Sequence, residues 1–340
     1  MNIYYPQYYE QFTCIAAACP DSCCHEWEVD VDPQAAAFYR ALPGDLGDRL
    51  RAVLRDTEDG TCMTIENGRC PMWRQDGLCR IQAQLGHDAL CHTCRSFPRL
   101  RHDYGDFAEL GLELSCPEAA RLILSGQGLS ILSHTQPDGE EPDYDKEVMS
   151  TLLTSRNAFR SLLESNDYTV PQLLTVLLIY AYEVQSEIDG GAPAVLDPES
   201  ALAFGKKHAG AGDISQLLGF FKDLEILTDR WEDRLNHPSP APWTDVYRHL
   251  IRYFVDRYWL QAVSDYDLIS RAKLAVTACL LIRTLGGDLT QTAQLFSKEI
   301  ENDPDNVDAI LDGAYTAPAL TDRNLLSLLL NNQGGNDCGI

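Results

Sequence analysis

The distribution of cysteines most constrains how this chain can fold. Ten of the twelve cysteines lie in the first 116 of 340 residues. They are Cys14, Cys19, Cys23, Cys24, Cys62, Cys70, Cys79, Cys91, Cys94 and Cys116. Thiolates bind zinc and iron–sulfur clusters strongly, and a chain spaces them closely when several must hold one ion or cluster. The pattern indicates a metal site, and metal ligands more than a large apolar core are expected to hold this region together.

A disulfide framework is the alternative explanation for clustered cysteines. Residues 1–12 contain no basic residue, no apolar core of signal-peptide length and no small-residue cleavage site. We therefore expect a cytoplasmic protein, in which thiols stay reduced. In that compartment the same spacing is more typical of metal binding than of disulfide bonds.

Charge and hydropathy exclude two classes of partner. The net charge is −24 and no basic patch is apparent, which disfavours nucleic acid and favours a basic protein partner. The longest apolar stretch, Leu173–Tyr182, is far shorter than the about 20 residues needed to span a bilayer. We expect neither a nucleic-acid partner nor a membrane.

The fold class is predicted to be mainly α, with a small cysteine-rich metal-binding N-terminal domain and an all-α C-terminal domain. We place the cysteine-rich domain at 1–124, a linker rich in Gly, Pro and acidic residues at 125–145, the helical domain at 146–330 and a flexible tail at 331–340. Apolar residues recur at helical spacing in six segments of the second domain. These are Glu147–Leu163, Pro171–Ile188, Ile214–Leu235, Trp243–Val263, Asp267–Leu285 and Leu289–Glu301.

Simple cysteine motifs do not account for the spacing. Only Cys91 and Cys94 form a CxxC, so the two knuckles of a zinc ribbon are not matched. The ferredoxin run and the CxxxCxxC of radical enzymes are also absent. Cys279 lies in an apolar helix and Cys338 in the tail, so neither is expected to be a ligand.

Five separated motifs in the first 121 residues resemble the flagellin lysine-N-methylase family. Phe12 to Trp27 reads FxCxxxxCxxxCCxxW and is followed by an acidic turn at Asp30 and Asp32. The later motifs are Cys70-Pro71, GLCRIQAQLG from Gly77, TCRSFPR from Thr93 and SCPEAAR from Ser115. A broader group of cysteine-rich (CxxxCC) zinc- or iron-chelating proteins is similar only through Cys19, Cys23, Cys24, Cys70, Cys79 and Cys94-Arg95.

The resemblance implies a protein-lysine N-methyltransferase that uses S-adenosylmethionine, acts on flagellin or another lysine-bearing protein, and carries a 4Fe-4S cluster, with zinc as the alternative metal. The cysteines that match the pattern are the expected metal ligands. They are Cys14, Cys19, Cys23, Cys24, Cys70, Cys79, Cys94 and Cys116. Eight exceed the four that one cluster needs, so either two metal centres exist or one centre is supported by structural thiols. Cys62 and Cys91 lie outside the pattern and are interpreted as accessory thiols.

Two arginines beside the cysteines are candidates for binding the cofactor. Arg95 and Arg99 would offset the negative charge of a thiolate cluster and receive a carboxylate, although a structural ion pair explains them equally well. His25 and His92 adjoin ligand cysteines and are weaker candidates for a mixed site. Gly210 and Gly212, a glycine pair of the dinucleotide-binding kind, follow no apolar strand, so S-adenosylmethionine would need a non-Rossmann site.

Methyl transfer to lysine requires a neutral amine. Lysine has a pKa of about 10.4, so deprotonation or desolvation must supply about 4 kcal/mol at neutral pH. Glu26, Asp30, Asp32 and Tyr104 are candidate bases by residue type, and a solvated acidic face is the competing interpretation. Two non-catalytic hypotheses also stay open: a zinc- or iron-binding module whose acidic helical half binds a basic protein, and a protein that stores or delivers iron.

Overall fold

The structure, a computed structural model, describes residues 1–24, 29–58, 60–137, 139 and 141–331. Of the predicted tail, only Asn331 lies within the described residues, and His25, Glu26 and Trp27 lie outside them. The strands are β1 Asn2–Pro6, β2 Val29–Val31, β3 Leu54–Asp56, β4 Thr61–Met63, β5 Arg99–Asp103, β6 Phe107–Leu112 and β7 Ile131–Thr135.

Helices make up most of the regular structure, which confirms the mainly α prediction. The first six are α1 Tyr8–Gln11, α2 Pro33–Ala41, α3 Gly44–Val53, α4 Arg80–Leu85, α5 His92–Ser96 and α6 Pro117–Leu124. The others are α7 Lys146–Glu164, α8 Val170–Ile188, α9 Pro198–His208, α10 Ile214–Lys222, α11 Asp229–Asn236, α12 Val246–Tyr258, α13 Leu268–Leu285, α14 Leu289–Phe296, α15 Pro304–Thr316 and α16 Asp322–Leu330. Every element described between Lys146 and Leu330 is helical, as expected for that half. None of the described helices is long and apolar enough to cross a membrane.

Two small sheets lie in the N-terminal part. The first has the order β5-β6-β1-β7, with β1 parallel to β6 and antiparallel to β7, so that Ile3 stands opposite both Ala108 and His134. The second has the order β2-β4-β3 and is antiparallel. The segment 125–145, expected to be a linker, contains β7 at the edge of the first sheet.

The larger apolar core crosses residue 124, where the first predicted domain ends. Tyr8, Phe12, Phe107 and Leu112 pack in the same core as α6 and the helices from α7 to α16. A buried ion pair strengthens this junction, because both Nη atoms of Arg156 on α7 donate to the Glu109 carboxylate on β6, at 2.7 and 2.5 Å. The first sheet and α6 therefore pack with the helical half.

A second, smaller core holds residues 29–91 together. Val29, Tyr39, Leu50, Met63 and Met72 are buried in it, between the second sheet, α2 and α3. Cys70 and Cys91 also belong to this core. Apolar packing thus contributes to the cysteine-rich region beside any metal ligands.

The single helix expected over Ile214–Leu235 is interrupted. α10 ends at Lys222 and α11 begins at Asp229, where Thr228 caps the new helix by accepting from the Trp231 amide. The loop between them is held by side chains from distant sequence: Asn306 exchanges two hydrogen bonds with the backbone of Glu225, at 3.0 and 2.9 Å. Tertiary contacts therefore override the local helical period.

Candidate metal centre

Seven of the eight motif cysteines line one cavity of about 510 Å³. This volume is of the size that small molecules and cofactors occupy. The seven come from four separate segments of the chain: Cys14, Cys19, Cys23, Cys24, Cys79, Cys94 and Cys116. Among the described residues, none of the eleven cysteines is in a disulfide bond.

The first cysteine segment is a loop that leaves α1 and the first sheet. Ala16 to Ala18 form a 3-10 turn, after which Cys19 follows in extended conformation. The Cys19 thiol donates to the backbone oxygen of Asp21 at 3.2 Å, and Cys23 and Cys24 occupy the next turn. The loop therefore presents four thiols within eleven residues to one side of the cavity.

Gly77 allows the second segment to approach the first. Its φ is +79°, and a Cβ at this position would lie 3.1 Å from Cα of Ala17. Such a contact is closer than an alanine normally tolerates, and the positive φ favours glycine in any case. The glycine of the GLC motif thus brings Cys79 against the loop that carries Cys14 and Cys19.

The other thiols of the cavity lie at or near the beginnings of helices. Cys79 precedes α4, Cys91 precedes α5, which contains Cys94, and Cys116 precedes α6. The first amides of a helix carry partial positive charge and stabilise a nearby thiolate. Three short helices are therefore oriented so that their N-terminal ends carry a cysteine.

Cys70 is the one motif cysteine that does not line the cavity. It is buried in the smaller core, with its Sγ 3.4 Å from Sδ of Met63, and its amide donates to the Cys24 backbone oxygen at 2.8 Å. Cys91, expected to be accessory, contacts a wall residue through the hydrogen bond between its sulfur and Cys94. Cys62 is buried in β4, opposite Asp30 and Arg55.

Contacts between thiols perturb their ionisation. The pKa of Cys23 and that of Cys94 are raised well above the ordinary thiol value, first by the hydrogen bond to Cys24 and Cys91 respectively and next by desolvation among the side chains of the cavity wall. The same hydrogen bond from Cys94 lowers the pKa of Cys91 to about 7. One member of a close thiol pair ionises at the expense of the other.

Burial raises the pKa of the thiols that precede α4 and α6. It raises the pKa of Cys116 to about 11 and also raises that of Cys79, while backbone amides of α6 and α4 oppose the shift. Crowded thiolates repel one another, so ionising several of them together requires a bound cation.

The donor chemistry fits an iron–sulfur cluster or zinc, since both take thiolate ligands. Among the described residues, no three His, Cys, Asp or Glu side chains already stand in the geometry of a single metal ion. The fit therefore rests on the kind and number of donors around a shared cavity.

Both predicted arginines are on the cavity wall. The Arg99 guanidinium lies 5.0 Å from the ring centre of Phe12 and 5.8 Å from that of Tyr9, in cation–π contact with both. Arg95, one residue after Cys94, also lines the cavity. The wall thus presents two cations beside the thiols.

The helical half completes the cavity, which sequence reasoning missed. Leu227, Lys298 and Asn302 line it from the helical side. Lys298 Nζ lies 3.0 Å from Asp21 Oδ1, within the first cysteine loop. No sequence motif marked these residues, because they lie in the α10–α11 loop and beyond α14, far from the cysteines along the chain.

The three candidate bases that the structure describes are not found on the wall. Asp32 caps α2, accepting from the Ala35 and His92 amides at 2.9 and 2.7 Å, and these hydrogen bonds lower its pKa. Tyr104 is stacked on Phe107, and burial raises its pKa. Asp30 lies on β2 and likewise does not line the cavity, while Glu26 lies outside the described residues.

Of the two histidines considered for a mixed site, the structure describes only His92. The ring of His92 lies 3.3 Å from the Ser96 hydroxyl on α5 and is not among the residues that line the cavity. His25 lies outside the described residues. His87, which the sequence analysis did not single out, does line the cavity.

Comparison with known proteins gives curated relatives, whereas no family profile and no solved structure match the chain. The lysine-N-methylase of Salmonella choleraesuis strain SC-B67 is 32% identical over 141 residues, which covers 38% of this chain and 34% of that protein. The lysine-N-methylase of Salmonella typhimurium strain LT2 is 31% identical over 141 residues, with the same coverage.

The flagellar biosynthetic protein FliU of Salmonella muenchen is 32% identical over 133 residues, which covers 35% of this chain and 75% of FliU. The match spans about a third of each lysine-N-methylase and three quarters of FliU. Together with the five ordered cysteine motifs, these relatives show that the chain belongs to the flagellin lysine-N-methylase family.

Proposed function

We propose that this protein is an S-adenosylmethionine-dependent protein-lysine N-methyltransferase that carries an iron–sulfur cluster and acts on flagellin. The names of the relatives support the reaction and a flagellar substrate. The observation that carries the proposal is the convergence of seven motif cysteines from four segments on one cavity that also holds Arg95 and Arg99.

Four cysteines are the foremost cluster ligands in this proposal. Cys19, Cys23, Cys79 and Cys94 are shared with the broader chelating group, and all four line the cavity. A 4Fe-4S cluster bound by them would supply an iron centre next to the methyl donor. The other motif thiols would then support the loops or hold a second metal.

The methyl donor is proposed to occupy the part of the cavity near Arg95 and Arg99. A guanidinium binds a carboxylate with two parallel hydrogen bonds, and the two rings against Arg99 restrict its orientation. The described sheets contain one parallel pair, β1 with β6, and no helix-linked parallel array of the Rossmann kind. A non-Rossmann donor site agrees with this topology.

The substrate lysine must lose its proton before it attacks the methyl group. Of the described residues on the wall, the carboxylates are Asp21 and Glu118, and each is in an ion pair, with Lys298 and Arg121 respectively. Apolar side chains such as Leu78 and Phe97 also line the cavity. We infer that desolvation by this apolar wall lowers the pKa of the lysine, so that water can remove the proton.

Metal analysis tests the proposal first. Protein purified without oxygen is expected to contain about four irons and four acid-labile sulfides per chain and to absorb near 400 nm. Stoichiometric zinc without sulfide would remove the cluster and favour the binding-module hypothesis. Labile iron in variable amount would favour iron storage or delivery.

Catalysis is tested separately on metal-replete protein. We expect S-adenosylmethionine to bind in a calorimetric titration and methyl groups to appear on lysines of supplied flagellin by mass spectrometry. Arg99→Met should weaken donor binding, whereas Arg101→Met, an exposed control on β5 that does not line the cavity, should not. Absence of donor binding to replete protein would refute the methyltransferase proposal.

A further inference from the structure

Two polar side chains of the helical half contact the cysteine loops directly. Gln294 is in the last turn of α14, and Lys298 is in the π-helical turn Ser297–Glu301 that continues it. They are four residues apart and so lie on one helix face. Asn302, four residues further on, lines the cavity.

Gln294 joins two cysteine segments through one amide group. Its Nε2 donates to Asp21 Oδ2 in the first loop and to the backbone oxygen of Ser115 before Cys116, both at 2.8 Å. The side chain is 4% exposed. Both amide protons are thereby used, and they fix the Cys14–Cys24 loop relative to the beginning of α6.

Lys298 completes the environment of the Asp21 carboxylate. Its Nζ lies 3.0 Å from Asp21 Oδ1, and the two side chains are only 12% and 17% exposed. Each oxygen of Asp21 thus has its own donor from the helical half. A partly buried carboxylate is costly without such partners, so the loop is held where both donors reach it.

The π-helical turn itself is anchored on either side of Lys298. Glu299 is fully buried and accepts from the Leu227 amide at 2.9 Å and from the Thr228 hydroxyl. Glu301 accepts from the hydroxyls of Tyr253 and Tyr258 on α12, at 3.0 and 2.8 Å. Turns of this kind occur often at functional sites, and here the anchoring restricts where the Lys298 side chain can reach.

We propose that Lys298 and Gln294 are positioning residues that hold Asp21, and through it the Cys14–Cys24 loop, in the arrangement that forms the cavity. The consequence for a metal centre rests on the proposed function, whereas the positioning of the loop does not. The inference assigns a role at the cysteine site to a part of the helical half that carries no motif.

Hydrogen exchange of the full-length protein tests the positioning. The Ala18 and Cys19 amides donate to Ile15 and Ala16 carbonyls at 3.0 Å, so this loop has protected amides to follow. Lys298→Met and Asp21→Asn should each speed exchange in peptides covering 12–24 by about tenfold, since each removes a charged hydrogen bond. Lys298→Arg should stay close to the parent protein.

The double variant separates coupling from independent effects. If Lys298 and Asp21 act through one contact, Lys298→Met combined with Asp21→Asn exchanges about as fast as either single variant. The inference would be overturned if the exchange rate of the double variant rose by the product of the two single increases. Unchanged exchange in both single variants, or an equal increase in peptides from α13, would also overturn it. Lys222→Met, at an exposed lysine of α10, is the control for loss of a lysine charge.

Failure of the inference and failure of the proposed function give different results. Faster loop exchange in Lys298→Met with no iron in the parent protein would uphold the positioning and remove the cluster. Iron in the parent protein with unchanged loop exchange in the variants would support the cluster and refute the positioning. In iron-loaded protein, a chelator should remove metal faster from Lys298→Met than from Lys298→Arg.

Discussion

Replacement of Gly77 by alanine is expected to separate the two cysteine loops that Gly77 brings together. Its φ of +79° lies in the left-handed region, where a residue with a Cβ loses about 1–2 kcal/mol relative to the right-handed region. The added Cβ would also stand 3.1 Å from Cα of Ala17, which must move by a few tenths of an ångström. Forced contacts of this kind cost about 1–3 kcal/mol.

Gly68 provides a matched control. Its φ is +72°, and a Cβ there would meet no atom within 4 Å. Gly68→Ala therefore carries the backbone cost alone, and the entropy that alanine removes from the unfolded chain is common to both variants. The difference between the two variants isolates the contact between the loops, and we expect Gly77→Ala to be less stable by about 1–3 kcal/mol.

Urea unfolding of both variants measures this difference as the free energy of unfolding. Metal content of the two proteins, purified side by side, gives a second readout, and it should fall in Gly77→Ala while Gly68→Ala retains the parent value. Equal free energies and equal metal contents would refute the argument that Gly77 sets the approach of Cys79 to the first loop.

Three further predictions follow from single contacts. Cys23→Ser should lose bound metal in an elemental analysis, whereas Cys62→Ser, which alters a buried thiol away from the cavity wall, should keep it. Arg156→Met breaks the buried ion pair between α7 and β6 and should lower the free energy of unfolding by about 3–5 kcal/mol, against about 0–1 kcal/mol for the exposed Arg101→Met. Burial lowers the pKa of His102 below its ordinary value, so the unfolded chain binds the proton more readily than the folded protein. The free energy of unfolding should therefore fall as pH drops below about 6.5. In His102→Gln, the free energy of unfolding measured across pH 5–7 should depend less on pH.

Local patterns accounted for much of the helical half. The periodic segments at Glu147–Leu163, Pro171–Ile188 and Asp267–Leu285 correspond closely to α7, α8 and α13. Their helical period is a property of neighbouring residues, which is why sequence alone reveals it. The same reasoning missed α9, α15 and α16, which are shorter than these three helices.

Strands were the main omission in the N-terminal half. β1 pairs with β6, and Ile3 faces Ala108 across more than a hundred residues of chain. β2, β3 and β4 are three residues each, too short for an alternating pattern to be recognised. Pairing over such distances depends on the packed structure and leaves little trace in the local sequence.

The sequence by itself determined the family and the set of thiols, because metal ligands and their close spacing are local features and the motifs occur in order. Only the tertiary structure decided which thiols share a cavity, gathering seven from four segments and placing Cys70 in the smaller core. It also decided that Lys298 reaches Asp21 across 277 residues. A contact of that kind follows from how α14 packs on α6, and no period or spacing along the chain encodes it.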